Sequence, residues 1–309
     1  MSNRANYYDI EQLCQHYFNK LGTIFHLCTP ENHAIVFRSS DDFMKGMTLI
    51  GLAAKASKGI RILTFELMSN HIHIIIVGSP IDIEAFFTRY KKLLEKCLYT
   101  NENGPDLKRF TMNLHKIESL ENLRNAIAYV NRNGSMVDRN VCPYTYPWGA
   151  NKYFFNTEAK ARYRVGSSPI TLRDRRQISK SHKYDDVTDL YLVDGYACPL
   201  SFCHIEEAEM VFRDTRHYFT KVSRHIESYD EIAKMLGEQL YYTDDDLYSI
   251  LSTRSARTYD GRKPTLLQKD EKIEMAKWLR GKYNADIKQI GRLLKIDMAI
   301  LKALFSSSE

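Results

Sequence analysis

Residues 60–78 constrain the fold of this chain more than any other stretch. IRILTFELM, from Ile60 to Met68, is a run of β-branched, leucine and aromatic residues, HIHIIIVG over 71–78 is a second, and only Ser69 and Asn70 separate them. Two apolar runs joined by a two-residue polar turn predict an antiparallel hairpin. Upstream, GTIFHLCT (Gly22 to Thr29) reads as another strand, with AIVF (Ala34 to Phe37) pairing with it or extending it. Asp41 and Asp42 then open an amphipathic helix to about Ser57, with Gly59 as its stop. Downstream, Pro80 and Asp82 introduce a helix to about Tyr99, and FTMNLHKI (Phe110 to Ile117) supplies a further strand. Ser119 caps a third helix, ending at Gly134 in the left-handed C-terminal position.

The order strand, helix, two strands, helix, strand is that of a ferredoxin-like α+β sandwich. The predicted fold class is therefore α+β, an antiparallel sheet with helices extended by YPWGANKYFF, and the first domain spans residues 1–156. Residues 157–190 are polar and partly basic and read as an irregular connection. From Ile205 the pattern turns helical, through EEAEMVFRDTRHYFTKVSRHI and YDEIAKML, with Asp244, Asp245 and Asp246 opening another short helix. Residues 157–260 thus form a connector and helical middle region in which no function is legible. The remainder, 261–309, divides into LLQKDEKIEMAKWLRGKY, DIKQIGRLL, the turn KID, and MAILKALF. A supporting helix followed by two short helices on a tight turn is the pattern of a helix-turn-helix, although small bundles that bind nothing share it.

Charge bears on that choice. The chain of 309 residues carries a net +6, and residues 254–309 hold thirteen Lys and Arg against seven acids, so the excess is concentrated there. A basic module on a neutral body suggests contact with nucleic acid, because cations gain affinity by displacing the counterions condensed on phosphates. Lys288, Arg292, Lys295 and Lys302, on or beside the two short helices, are the candidate DNA contacts. With 44% hydrophobic residues the chain can bury a sizeable core, yet no stretch approaches the roughly 18 apolar residues of a membrane helix. The expectation is a cytoplasmic protein without a membrane partner. Six scattered cysteines fit reduced thiols, and the cluster Cys198, Cys203 and His204 matches no common zinc spacing.

Chemistry is suggested at two places. His71 and His73 lie two apart on a strand, so the pleat sends both imidazoles to one face, where they can share an ion or simply pack. On the third helix Leu120, Leu123, Ile127 and Val130 form an apolar stripe. Tyr129 and Asn133, one turn apart, fall on a different face, where Tyr129 projects its hydroxyl and Asn133 offers an amide oxygen.

MSNHIHIIIVG resembles the M-P-N-H-x-H-hydrophobic signature of the HUH-type single-tyrosine transposases, AYVNRNG resembles their Y-x-x-x-N-P segment, and YPWGANKYF their Y-P-W-S-S-x-x-Y continuation. The most similar branch is the REP-associated tyrosine transposases. The resemblance covers about residues 20–155 and implies an HUH nuclease core. It makes His71, His73 and Asn133 ligands of a Mg²⁺ or Mn²⁺ ion and Tyr129 the nucleophile. It further implies cutting and rejoining of single-stranded or hairpin DNA through a 5′-phosphotyrosine, by a homodimer; the basic C-terminal module is read separately as a grip on duplex DNA. Three positions depart from the pattern: Ser69 and Gly134 stand where the family has proline, and Gly149 with Ala150 replaces a serine pair. The alternatives are a domesticated, non-catalytic DNA-binding protein and a metallohydrolase whose histidine pair activates water.

Overall fold

The computed structural model describes the backbone of residues 2–30, 35–98, 107–137, 144–223, 244–283 and 285–305. The chain divides into two compact units, Met1–Arg224 and His225–Glu309. Helix α1 (Ser2–Leu21) opens the first unit. It is followed by β1 (Ile24–Cys28), α2 (Ser40–Lys55), β2 (Arg61–Leu67), β3 (Ile72–Val77), α3 (Pro80–Leu98), β4 (Asn113–Ile117) and α4 (Leu120–Val137). The four strands form one antiparallel sheet in the order β2-β3-β1-β4.

The expected hairpin is β2 and β3, with Leu67 opposite Ile72 and Met68 N–H donating to the His71 carbonyl at 2.9 Å. The described part of AIVF, residues 35–37, adds no strand: Val36 and Phe37 both donate their N–H to the Ser69 carbonyl, so these residues close over the hairpin turn. Ser39, rather than Asp41, caps α2, in a reciprocal capping box with Asp42.

Strand register gives the sheet two chemically different faces. Phe25, Leu27, Phe65, Leu67, Ile72, Ile74 and Ile76 share one face, and all are buried. Each such aliphatic or aromatic side chain contributes about 1.5–3 kcal/mol by leaving water. Helix α2 covers this face so closely that a Cβ on Gly46 would stand 3.2 Å from a Leu67 methyl, and α3 runs against α2. The other face carries His26, Cys28, Thr64, Glu66, His73 and His115 and lies under α4.

Helix α4 does not stop at Gly134 but continues to Val137. A Cβ at Gly134 would meet the Tyr146 ring at 2.3 Å, so the glycine serves close packing, not a left-handed cap. Tyr146 in turn donates its hydroxyl to the Leu67 carbonyl at 2.7 Å. The following residues run beside the open edge of β2: Leu67 N–H donates to Trp148 O, Ala150 N–H donates to Phe65 O, and Glu66 bridges Gly149. This is the extension expected from YPWGA.

Residues 157–190, expected to be irregular, hold α5 (Thr157–Gly166), α6 (Leu172–Ser179) and the first strand of a second sheet. That sheet has three short strands in sequence order, β5 (Ser168–Pro169), β6 (Tyr191–Val193) and β7 (Tyr196–Ala197). It docks on α2, where Ala197 N–H donates to Thr48 Oγ1 and Leu190, Ala197 and Phe202 crowd Gly51. Helices α7 (Ile205–Glu209) and α8 (Thr215–Val222) complete the unit, and α8 lies against α4. The helical pattern of YDEIAKML lies outside the described residues.

The second unit contains α9 (Asp244–Thr258), α10 (Lys269–Tyr283), α11 (Ile287–Leu294) and α12 (Met298–Phe305). Its core joins Leu247 and Leu251 to Met275, Leu279, Ile290, Leu294 and Leu301. Asp286 caps α11 in a capping box with Gln289, and Lys295, left-handed at φ 53°, ends it before the turn to α12. The sequence boundary at 260/261 therefore falls inside this unit, and the one at 156/157 falls inside the first.

Candidate active site

Strand β1, the end of the hairpin turn, β3 and α4 converge on one cluster of rings. His73, on β3, is 1% exposed, and its Nδ1 lies 3.3 Å from Nε2 of His26 on β1, which is fully buried. The two rings stack, 8° from parallel with centroids 5.4 Å apart. His71, just before β3, meets His73 edge-on at 4.8 Å and has its Nδ1 2.8 Å from the side-chain oxygen of Asn70. His115 on β4 faces His26 at 6.5 Å. Tyr129 stands edge-on over this group, 5.7 Å from the His73 ring and 6.3 Å from that of His26.

One expectation is corrected here. Tyr129 is 2% exposed, so the face apart from the apolar stripe, on which it was expected, is itself buried. The helix is buried on more than one side: the sheet covers one, α8 and α1 cover others, and Ala126 through Asn131 are all buried. A stripe predicted for a helix with one covered side is too narrow for such a position. The consequence is that Tyr129 and the histidine pair, 56 positions apart at Tyr129 and His73, meet within one chain.

Asn133 is half-buried one turn further along α4, and its amide Nδ2 is enclosed without a hydrogen-bond partner. Beneath the same turn lies Glu66, cross-strand from His73, 1% exposed, with neither carboxyl oxygen hydrogen-bonded. Complete burial pushes its carboxyl well above the usual carboxylate range. The backbone N–H groups of Gly134 and Asn133 oppose that shift without reaching hydrogen-bond geometry. His26, Glu66 and His115 are the residues that sequence reasoning missed. The available signal was a polar residue in the middle of an otherwise apolar strand, as in IFHLC and TFELM.

Next to the cluster, a fully buried polar network ties the sheet to α8. Thr64 donates to the Asn131 side-chain oxygen, Asn131 donates to Tyr218 at 2.8 Å, and Tyr218 donates to Asn151, whose amide donates to the Asn131 carbonyl at 2.7 Å. Asn151 belongs to the YPWGANKY segment, and Trp148 stacks on Phe43 with centroids 5.0 Å apart, so this segment anchors the fold.

Nδ1 of His71 lies against Asn70 and Nδ1 of His73 against His26, so if these rings were to hold a metal, their two Nε2 atoms would be the ones to do so, with an outer partner fixing each ring. Among the described residues, no group of three or more His, Cys, Asp or Glu side chains is spaced to hold a metal. Cys198 and Cys203 are free thiols, raised in pKa by burial.

In the second unit Lys288, Lys295 and Lys302 are exposed. Arg292 is engaged: its Nε and Nη2 donate to the two Asp244 carboxylate oxygens at 2.7 and 3.0 Å, which ties α11 to the start of α9. Among the described residues, no helix is long and apolar enough to cross a membrane. Compared with family models, curated proteins and solved structures, the chain matches none.

Proposed function

We propose that this protein cuts and rejoins single-stranded DNA, with Tyr129 as the nucleophile and His71, His73 and Asn133 as ligands of a Mg²⁺ or Mn²⁺ ion. The observation that carries the reading is the edge-on packing of Tyr129 on His73 within the same chain. Two of the three sequence motifs that resemble those of HUH-type single-tyrosine transposases thereby meet at one site, on a four-stranded antiparallel sheet, and the third, YPWGANKY, anchors the fold beside it. A bound divalent ion supplies charge neutralisation at the scissile phosphate. Tyr129 Oη forms the bond to phosphorus, the bond from phosphorus to the 3′ oxygen breaks, and the proton lost by the phenol is balanced by the one the departing 3′-hydroxyl gains. The phosphotyrosine keeps the phosphodiester energy, so resealing needs no nucleotide cofactor. His26 orients His73 through the approach of Nε2 to Nδ1. A partner chain is not needed to deliver the phenol, so the expected homodimer is not a requirement of the chemistry.

The second unit is the duplex-binding part of this proposal, its α11 and α12 forming a helix-turn-helix with Lys288, Lys295 and Lys302 toward phosphates. Arg292 is a poorer contact than expected because Asp244 already neutralises it.

A labelled hairpin strand incubated with the protein and Mn²⁺ tests the chemistry. The expected result is a denaturation-resistant protein–DNA adduct that Tyr129→Phe abolishes. Cleavage that survives Tyr129→Phe would instead assign the reaction to a water nucleophile. One observation favours a second reading, a non-catalytic DNA-binding protein that keeps the fold: Tyr129 is 2% exposed, so a phosphodiester reaches it only when the covering layer parts. DNA binding with no adduct under any metal condition selects that reading.

A further inference from the structure

We propose that the cleft between α3 and the segment following α6 binds the backbone of single-stranded nucleic acid. The cleft is open, has a volume of about 580 Å³, and lies beside α3, on the opposite side of the sheet from the histidine cluster. Arg89, Lys92 and Lys96 recur along α3 at helical spacing, Lys183 faces them from the loop, and among the described residues Glu84 is the one acid in the lining. Arg89 donates to the Ser57 hydroxyl, a neutral partner that fixes the guanidinium without cancelling its charge. Among the described residues, Lys92, Lys96 and Lys183 make no ion pair, whereas on the neighbouring α2 Lys45 is held by Asp41 and Lys55 by Asp189. Four like charges around one concavity repel one another unless an anion lies between them.

The apolar part of the lining decides which anion. Ile81, 80% exposed, stands at the surface with Ala85, and the buried Leu93 and Tyr184 line the same cleft. Inorganic phosphate gains nothing from these apolar side chains, and duplex DNA keeps its bases stacked inside. A single strand offers phosphates to the cations and unstacked base faces to Ile81 and its apolar neighbours, so both parts of the lining are used.

The inference extends the proposed function to where the strand is held away from the cut, and its test requires no chemistry. Binding of a fluorescein-labelled thymidine single strand to the full chain in EDTA is followed by anisotropy across a salt series, with a labelled duplex in parallel. The triple variant Lys92→Gln/Lys96→Gln/Lys183→Gln is expected to lose about tenfold or more in single-strand affinity. The slope of log K against log salt should become shallower by about 2, at about 0.7 for each phosphate that the variant no longer neutralises. Ile81→Ser should weaken the single strand without changing that slope. All four positions are exposed to solvent on the surface, and an unchanged melting temperature checks that the fold is intact. No single-strand binding by the unaltered protein, or an unchanged slope in the triple variant, overturns the proposal. So does an equal loss for duplex and single strand. Because the assay contains no divalent ion, failure of the Tyr129 adduct experiment leaves its outcome independent.

Discussion

His26 sits in the middle of an apolar strand, and its consequence runs through His73, whose Nδ1 it meets at 3.3 Å. Losing such an outer partner typically lowers metal affinity about 10–100-fold. On the proposed metal site, His26→Leu is therefore expected to weaken Mn²⁺ binding by that factor in a titration followed by electron paramagnetic resonance, and equal affinity in both proteins would leave His26 a packing residue. Glu66 makes a separate prediction. Burial raises its folded pKa well above that of the unfolded chain, so the native state holds the extra proton. Its contribution is intact below about 4.5, the ordinary glutamate value, and is lost as pH rises through the folded pKa. In EDTA, Glu66→Gln should match the parent near pH 4.5 and exceed it in thermal midpoint near pH 8; a lower midpoint at pH 8 would mean that the carboxylate is needed in its ionised form. That His71 and His73 lie together was legible because close spacing on one segment survives in the sequence, and the motifs placed Tyr129 beside them, where the three rings do pack. His26 and Glu66 were not legible, because what gives them meaning is strand register, which sets Glu66 opposite His73 and Cys28, two positions from His26, beside it.

Among the elements, the hairpin and three of the helices could be read to within a few residues, since each carries its own periodicity and its own cap. Residues 35–37 of AIVF form no strand because Val36 and Phe37 bond to the Ser69 carbonyl and Phe37 packs on Phe43 and Gly46 of α2 rather than in a ladder, and buried apolar residues look alike in either role. Gly134 failed for a related reason: a glycine at a helix end and a glycine under an aromatic ring are the same letter. The two roles predict opposite signs. If helix propensity alone mattered, Gly134→Ala would stabilise α4 by about 1 kcal/mol. The 2.3 Å approach to Tyr146 instead requires the ring and its hydrogen bond to Leu67 to shift. Urea unfolding should show a loss of about 1–3 kcal/mol, as for other overpacked sites. In a Tyr146→Ala background, where the ring is gone, the same substitution should turn neutral or stabilising. A Gly134→Ala protein as stable as the parent would remove the glycine's packing role.

At the scale of the molecule, the second unit closes its core differently from its sequence pattern. The pattern of three helices after residue 260 looks self-sufficient, yet α9 inserts Leu247, Ile250 and Leu251 between them and the Asp244 carboxylate takes Arg292 of α11. Removing α9 exposes the partners of three buried side chains, each worth about 2 kcal/mol, a loss comparable to the whole stability of a small domain. A fragment spanning 225–309 should therefore melt cooperatively and keep its helical circular dichroism, whereas one spanning 261–309 should show a broad, non-cooperative transition. The exposed Lys288, Lys295 and Lys302 belong to both fragments, so duplex affinity compared between them separates charge from fold. If charge alone governs binding, the two fragments bind equally at low salt. If a fixed spacing of α11 and α12 is required, only the longer fragment retains affinity as the salt rises toward about 0.15 M, where loosely placed cations are screened.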